Sequence, residues 1–234
     1  MCGRYTITVT LEDLMARYFA ENTGIPFLEP RYNVAPGQLV PAVLSDGRRN
    51  RLGLLRWGLV PPWADDPKVG YKMINARAET VEERPSYREA YRSKRCLLPA
   101  DGFYEWKKTP GEKSRPFRIR LKTGGLFSMA GLYETWTAPD GSKLHTCAVL
   151  TTEPNGLMAG IHDRMPVILR PEDEPLWLDR RLGDPGKLRK LLVPYPADEM
   201  EAYEVSDRVG RAYNDDPGCI ERVGEQMSLP LDPA

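Results

Sequence analysis

The feature that most constrains this chain is a succession of short apolar segments with strand composition, each closed by turn residues. Phe117 to Leu121, Leu126 to Trp136 and Leu144 to Thr151 have strand character, and they are separated by Gly124-Gly125 and by Pro139-Asp140-Gly141. Leu39 to Leu44 and Leu52 to Val60 repeat the pattern around Asp46-Gly47, and Cys96 to Trp106 does so around Pro99-Ala100-Asp101-Gly102. Helical signals are fewer. Thr10 is placed as an N-cap before Leu11, Leu14, Met15, Tyr18 and Phe19, which predicts a helix to about residue 21. Thr80-Val81-Glu82-Glu83 resembles a capping box, and the helix behind it is expected to run past Pro85 to about Ser93. Short helices are expected over Pro171 to Leu178 and Pro185 to Leu192, a loop over Gly24 to Gln38, and a last strand over Ala202 to Val205. The expected class is α+β: a strand-rich, barrel-like mixed β core with helices packed outside.

No internal repeat or polar linker divides the 234 residues, so residues 1–228 are expected to form a single domain and 229–234 a disordered tail. No apolar run approaches the length of a bilayer span and no signal peptide opens the chain, which predicts a soluble protein with no membrane partner. The four cysteines lie far apart without a Cys-x-x-Cys pair, and there are two histidines, so no disulfide framework, zinc site or cofactor is expected. This usage fits a reducing cytoplasm. Formal net charge is zero, which argues against nucleic-acid binding through bulk charge. The charge is uneven, however. Arg84 to Arg120 holds eleven bases and four acids, and Asp198 onward holds ten acids and three bases. The basic middle is either a phosphate-binding surface or a solvated face.

The chemistry is concentrated in a few places. Removal of Met1 before the small Cys2 makes Cys2 the N-terminus, with an α-amine and a thiol on adjacent carbons. An amine with an ordinary pKa of about 7.7–8.0 is partly neutral near pH 7. It forms an imine with an aldehyde, and the sulfur can then close a five-membered thiazolidine. Tyr5, Ile7 and Val9 alternate with Arg4, Thr6 and Thr8, so a half-buried strand is expected with Arg4 on its polar side near Cys2. In an extended Asn75 to Glu79, the side chains of Asn75, Arg77 and Glu79 share one face and Ala76 and Ala78 the other. This is either a converging polar site or an edge strand with a surface ion pair. Glu105 lies between Tyr104 and Trp106, where burial would raise its pKa. His162, Asp163 and Arg164 crowd one short connection. Among the tryptophans, Trp57 is read as core, while Trp63, in a proline-rich loop, is the better candidate for stacking, with Trp106 beside it.

Six stretches, in this order, resemble the SRAP family of abasic-site processing proteins: Met1-Cys2-Gly3-Arg4, Arg31-Tyr32-Asn33-Val34-Ala35-Pro36, Arg56-Trp57-Gly58-Leu59, Ile74 to Thr80, Ala100 to Trp106 and Ile161 to Pro166. The resemblance runs over nearly the whole chain. It implies capture of abasic sites in single-stranded DNA as a covalent protein–DNA crosslink, with Cys2 as nucleophile, Asn75 positioning the amino terminus, and Glu105 and His162 moving protons. Arg4, Arg77 and Arg164 then match positions that hold the DNA backbone. A monomer is expected, in the cytoplasm or on the nucleoid.

Two other readings begin from the same residues. A Cys2 with a free amine also opens the N-terminal-nucleophile glutamine amidohydrolases, although the rest of that pattern is missing. Alternatively, the chain is a single-strand binding module in which Cys2 is incidental.

Overall fold

The computed structural model describes residues 2–223; the expected tail at 229–234 lies outside the described residues. From the N-terminus, β1 (Tyr5–Ile7) leads into α1 (Leu11–Tyr18), which starts in a capping box between Thr10 and Asp13, and then into β2 (Ala20–Asn22). Next come β3 (Arg31–Val34), β4 (Leu39–Ser45), β5 (Asn50–Trp57) and β6 (Asn75–Arg77), then α2 (Arg88–Ser93), β7 (Arg95–Ala100) and β8 (Gly102–Lys107). The chain continues through β9 (Arg115–Leu121), β10 (Phe127–Thr137), β11 (Lys143–Thr152), β12 (Met165–Pro166) and β13 (Ile168–Leu169). Then α3 (Glu174–Leu178), α4 (Pro185–Arg189) and β14 (Met200–Glu204) follow.

Strands β11, β10, β7, β4 and β5 pair in that order, and β5 returns to β11 in parallel, with Arg56 and Trp57 opposite Thr146 and Cys147. The result is a closed mixed barrel of five strands, which removes open edges from the core. The second sheet, β14-β9-β8-β1-β3, is antiparallel throughout. Trp57 sits where the barrel closes. It is buried, its Nε1 donates to the Ile74 carbonyl at 2.9 Å, and its ring centroid is 5.2 Å from that of Tyr5 in the second sheet. Gly58 follows at φ +128°, and a Cβ there would lie 2.6 Å from the Gly70 carbonyl oxygen, so only glycine lets the chain turn at this point.

Asp101 is the single residue between the barrel strand β7 and the second-sheet strand β8. Its buried carboxylate accepts from the Thr6 and Thr8 hydroxyls, from the Thr8 N–H at 2.9 Å and from Arg118 at 3.3 Å. This network corrects the expectation of a half-buried first strand: Thr6, on the polar side, is fully buried because its hydroxyl is spent on Asp101.

Other expectations shift locally. Where a helix was expected over 80–93, the chain makes turns until α2 begins at Arg88, because Pro85 lacks an N–H and disfavours helical geometry just before it. The expected loop contains β3, which pairs with β1. Part of the basic middle meets the acidic C-terminal part: β9 lies against β14, so Arg115 meets Glu204 at 2.9 Å and Arg120 meets Glu201 at 2.6 Å, with Lys113 on Asp207 nearby. The solvated-face reading therefore applies to Lys113, Arg115 and Arg120.

Removing the Asp101 carboxylate would leave Arg118 buried and uncompensated, at a cost of about 3–5 kcal/mol. Asp101→Ala should lower the unfolding free energy by that amount in denaturant titrations; a loss below ~1 kcal/mol would mean that the pair contributes little.

Candidate active site

Cys2 is fully buried. The segment behind it is zipped in place: the Tyr104 N–H donates to the Arg4 carbonyl at 2.9 Å, and Tyr5 and Thr6 pair with Phe103 and Gly102. Burial raises the Cys2 thiol far above its ordinary pKa, and the charge of Glu105 adds to the effect. The sulfur is therefore held as a neutral thiol, and a preformed thiolate is not favoured here.

Asn75 opens β6, which runs parallel to β11 with Asn75 opposite Val149. Its Nδ2 donates to the Cys2 carbonyl at 2.8 Å. Its Oδ1 is buried with no hydrogen-bond partner among the described residues, leaving an acceptor on the same amide open. The Tyr87 hydroxyl donates to the Asn75 carbonyl at 3.1 Å and fixes the strand from the other side. Sequence reasoning gave Tyr87 no role, and nothing in its spacing signals one.

Glu105, on β8, is 3 % exposed. Burial pushes its carboxyl up to about 7. His162 Nε2 lies 3.8 Å from Glu105 Oε2. His162 follows a 3-10 turn, Met158–Gly160, anchored by Asn155, which accepts from the Met158 N–H at 2.9 Å and donates to the Tyr195 carbonyl at 2.6 Å. His162 Nδ1 lies 3.1 Å from the Arg164 N–H and 2.9 Å from Asp163 Oδ1. A ring nitrogen serves one of these at a time. The neutral ring accepts from Arg164 and carries its proton on Nε2 facing Glu105; the imidazolium donates to Asp163. Burial lowers the His162 pKa and Asp163 opposes that shift. A carboxyl raised by burial thus faces an imidazole lowered by it, which reverses the usual order of their proton affinities.

The expected arginines divide into two kinds. Arg4 donates to Asn33 Oδ1 at 3.1 Å and to the Val209 and Gly210 carbonyls at 2.5 and 3.2 Å, and no carboxylate pairs with it among the described residues. Asn33 is buried and also donates to the Arg211 and Asn214 carbonyls, a clamp on the C-terminal segment that its place in Arg31 to Pro36 did not reveal. Arg77 is exposed, with no ion pair among the described residues. Arg164, by contrast, forms a two-pronged pair with Glu79 at 2.7 and 2.9 Å and donates to the Thr151 carbonyl at 2.6 Å. Both readings of the Asn75 to Glu79 face are therefore present: Asn75 turns to Cys2, and Glu79 makes the surface ion pair. Trp63 is 64 % exposed, Trp106 is half-buried and Trp57 is core.

Residues 1–212 match the family model described as SOS response associated peptidase (SRAP). The chain belongs to the SRAP family. It is 52 % identical over 223 residues to the abasic site processing protein YoqW of Bacillus subtilis, covering 94 % of this chain and 99 % of that protein. It is 30 % identical over 266 residues to the abasic site processing protein HMCES of Xenopus tropicalis, covering 95 % of this chain and 78 % of that protein. A crystal structure of a Bacteroides thetaiotaomicron protein superimposes with a TM-score of 0.87 at 30 % identity, covering 94 % and 99 % of the two chains. The SRAP fold of this chain is thus the strand-rich barrel that the sequence led us to expect.

The raised Glu105 carboxyl has a sign that can be checked. A carboxyl whose folded pKa exceeds its unfolded one contributes stability below about 4.5, and that contribution is lost as pH rises through about 7. Glu105→Gln does not titrate, so its stability relative to the parent should rise by roughly 3 kcal/mol between pH 4 and pH 8.5. Denaturant unfolding at the two pH values measures this; an unchanged difference would mean that burial does not raise the Glu105 pKa.

Proposed function

We propose that this SRAP protein processes abasic sites in single-stranded DNA by forming a covalent thiazolidine crosslink through Cys2 after loss of Met1. The observation that carries the reading is a buried cysteine at position 2 whose carbonyl is held by Asn75 beside a carboxyl raised to about 7. The names of the relatives, abasic site processing proteins, support the same substrate.

An abasic sugar is mostly a closed hemiacetal. Opening it needs a base at the anomeric hydroxyl and an acid at the ring oxygen, and the Glu105–His162 pair can supply both near pH 7. The freed Cys2 amine, aligned by the open Asn75 Oδ1, then attacks the aldehyde. Protonation of the resulting hydroxyl by Glu105 expels water and leaves an imine. Because the thiol is held neutral, sulfur follows rather than leads: the S–H adds across C=N, sulfur bonding to carbon and the proton passing to nitrogen. The net change is loss of one water. Closure removes the C=N group, the electron sink through which β-elimination would cut the strand.

Arg4 and Arg77 are the cations suited to phosphates, and Trp63 to a base next to the gap. Arg164 acts through Glu79 to hold the connection carrying His162. The same acid–base pair is suited to releasing Met1, which fits a family described as a peptidase.

Two measurements on one preparation test this reading. Intact-mass spectrometry of the active protein should show the chain one methionine lighter. Cys2→Ser should give little heat-stable crosslink on end-labelled abasic single-stranded DNA, an imine that borohydride traps, and more strand cleavage than the parent. A heat-stable crosslink of parental yield from Cys2→Ser, or an active form retaining Met1, would overturn the mechanism.

A further inference from the structure

The catalytic group leaves unused a groove bounded by the end of α1, the β4–β5 turn and α3. A cavity of about 510 Å3 opens there, within the range of ligand sites, and the apolar Tyr18, Leu97, Pro171, Pro175 and Leu178 line part of it beside polar and charged groups. A second hollow of about 430 Å3 adjoins it, since Gly47, Asp179 and Arg181 line both, and it adds Arg48 and Arg180.

Phe19 stands at the edge of the apolar cavity. It is 91 % exposed and is the one non-glycine residue at positive φ, +47°, among the described residues. A bulky side chain adopts that backbone only at a cost, and exposing the ring adds to it. Two unfavourable features at one residue, on the rim of a cavity, point to a use other than stability.

The charges indicate what kind of ligand fits. The acids lining the two hollows are all engaged: Glu174 by Arg17 at 2.8 Å and Ser128 at 2.6 Å, Asp46 by Arg51 at 2.8 Å, and Asp179 by the Arg181 backbone N–H at 3.0 Å and guanidinium at 3.2 Å. Arg48 and Arg180 have no carboxylate partner among the described residues; Arg180 donates only to the Ser93 carbonyl at 3.2 Å. The groove therefore offers apolar lining residues with an exposed aromatic beside them and, at one end, arginines without a carboxylate partner among the described residues.

We propose that this groove docks an acidic peptide segment of a partner protein, with an apolar side chain inserted against Phe19 and carboxylates on Arg48 and Arg180. A nucleic-acid strand fits less well. It carries a phosphate at every nucleotide and would pass the Glu174 and Asp179 carboxylates, whereas a peptide places its acids only where arginines wait. None of these residues belongs to the proposed catalytic group, so the groove can recruit the protein without touching the chemistry.

Fluorescence anisotropy tests the proposal with labelled short peptides carrying several Asp and Glu residues and one Phe, Leu or Trp, compared with the same peptides bearing Ser at that position. Saturable binding of the anchored acidic peptides is expected, with affinity falling at least about tenfold for Ser in place of the anchor, for Phe19→Gly, and for Arg48→Glu with Arg180→Glu. Crosslinking to abasic DNA should be unchanged in both variants. Phe19→Gly should also melt a few degrees higher, because glycine accepts positive φ, which separates loss of binding from loss of fold. Absence of saturation below about 1 mM for every anchored peptide, unchanged affinity in Phe19→Gly, or displacement by unlabelled oligothymidylate would each overturn it, the last in favour of nucleic acid.

Discussion

Chain termini usually fray, but this one carries the proposed nucleophile and is held without exposure. The constraint behind that is the Asp101 carboxylate. It lies where the chain passes from the barrel into the second sheet, and it fastens Thr6 and Thr8 of the N-terminal segment while Arg118 compensates its charge. From this anchor, β1 zips along β8 toward Cys2 and the same strand delivers Glu105 to it. One buried ionic contact thus sets the separation between a residue near the end of the chain and a carboxyl more than a hundred positions away.

Burial then does chemical work twice, in opposite senses. It raises Glu105 and lowers His162, reversing their usual order of proton affinity, and it keeps the Cys2 thiol protonated. In the mechanism we propose, a site tuned in this way places proton shuttling and imine formation before sulfur attack. The Asp163 contact on the outer face of His162 gives the imidazolium a partner when it forms, and the Arg164 N–H gives the neutral ring one.

Much of this was legible in the sequence where local pattern governs. The strand start at Asn75, the apolar flanks of Glu105, and the contrast between Trp57 in a strand and Trp63 in a proline loop translated directly into placement, whereas the extended segment stops at Arg77 and Glu79 lies in a turn. What was not legible depends on pairing between distant segments. The parallel closure of β5 onto β11, the cancellation of basic β9 by acidic β14, the Arg164–Glu79 pair and the Asn33 clamp on the C-terminal segment have no local periodicity to announce them. Each was decided by which strands meet. The helix expected from the Thr80 capping signal was lost for a local reason, Pro85, whose effect on helix geometry outweighs a cap.

The bonding state of the captured sugar carbon bears most directly on the central claim, that sulfur closes onto an imine made by the Cys2 amine. Carbon-13 NMR of the crosslink formed with DNA labelled at C1′ of the abasic sugar reads it without reduction or denaturation. A tetrahedral carbon bonded to nitrogen and sulfur is the expected signal; a persistent trigonal imine carbon in the parent protein would contradict ring closure and leave Cys2 as an amine alone.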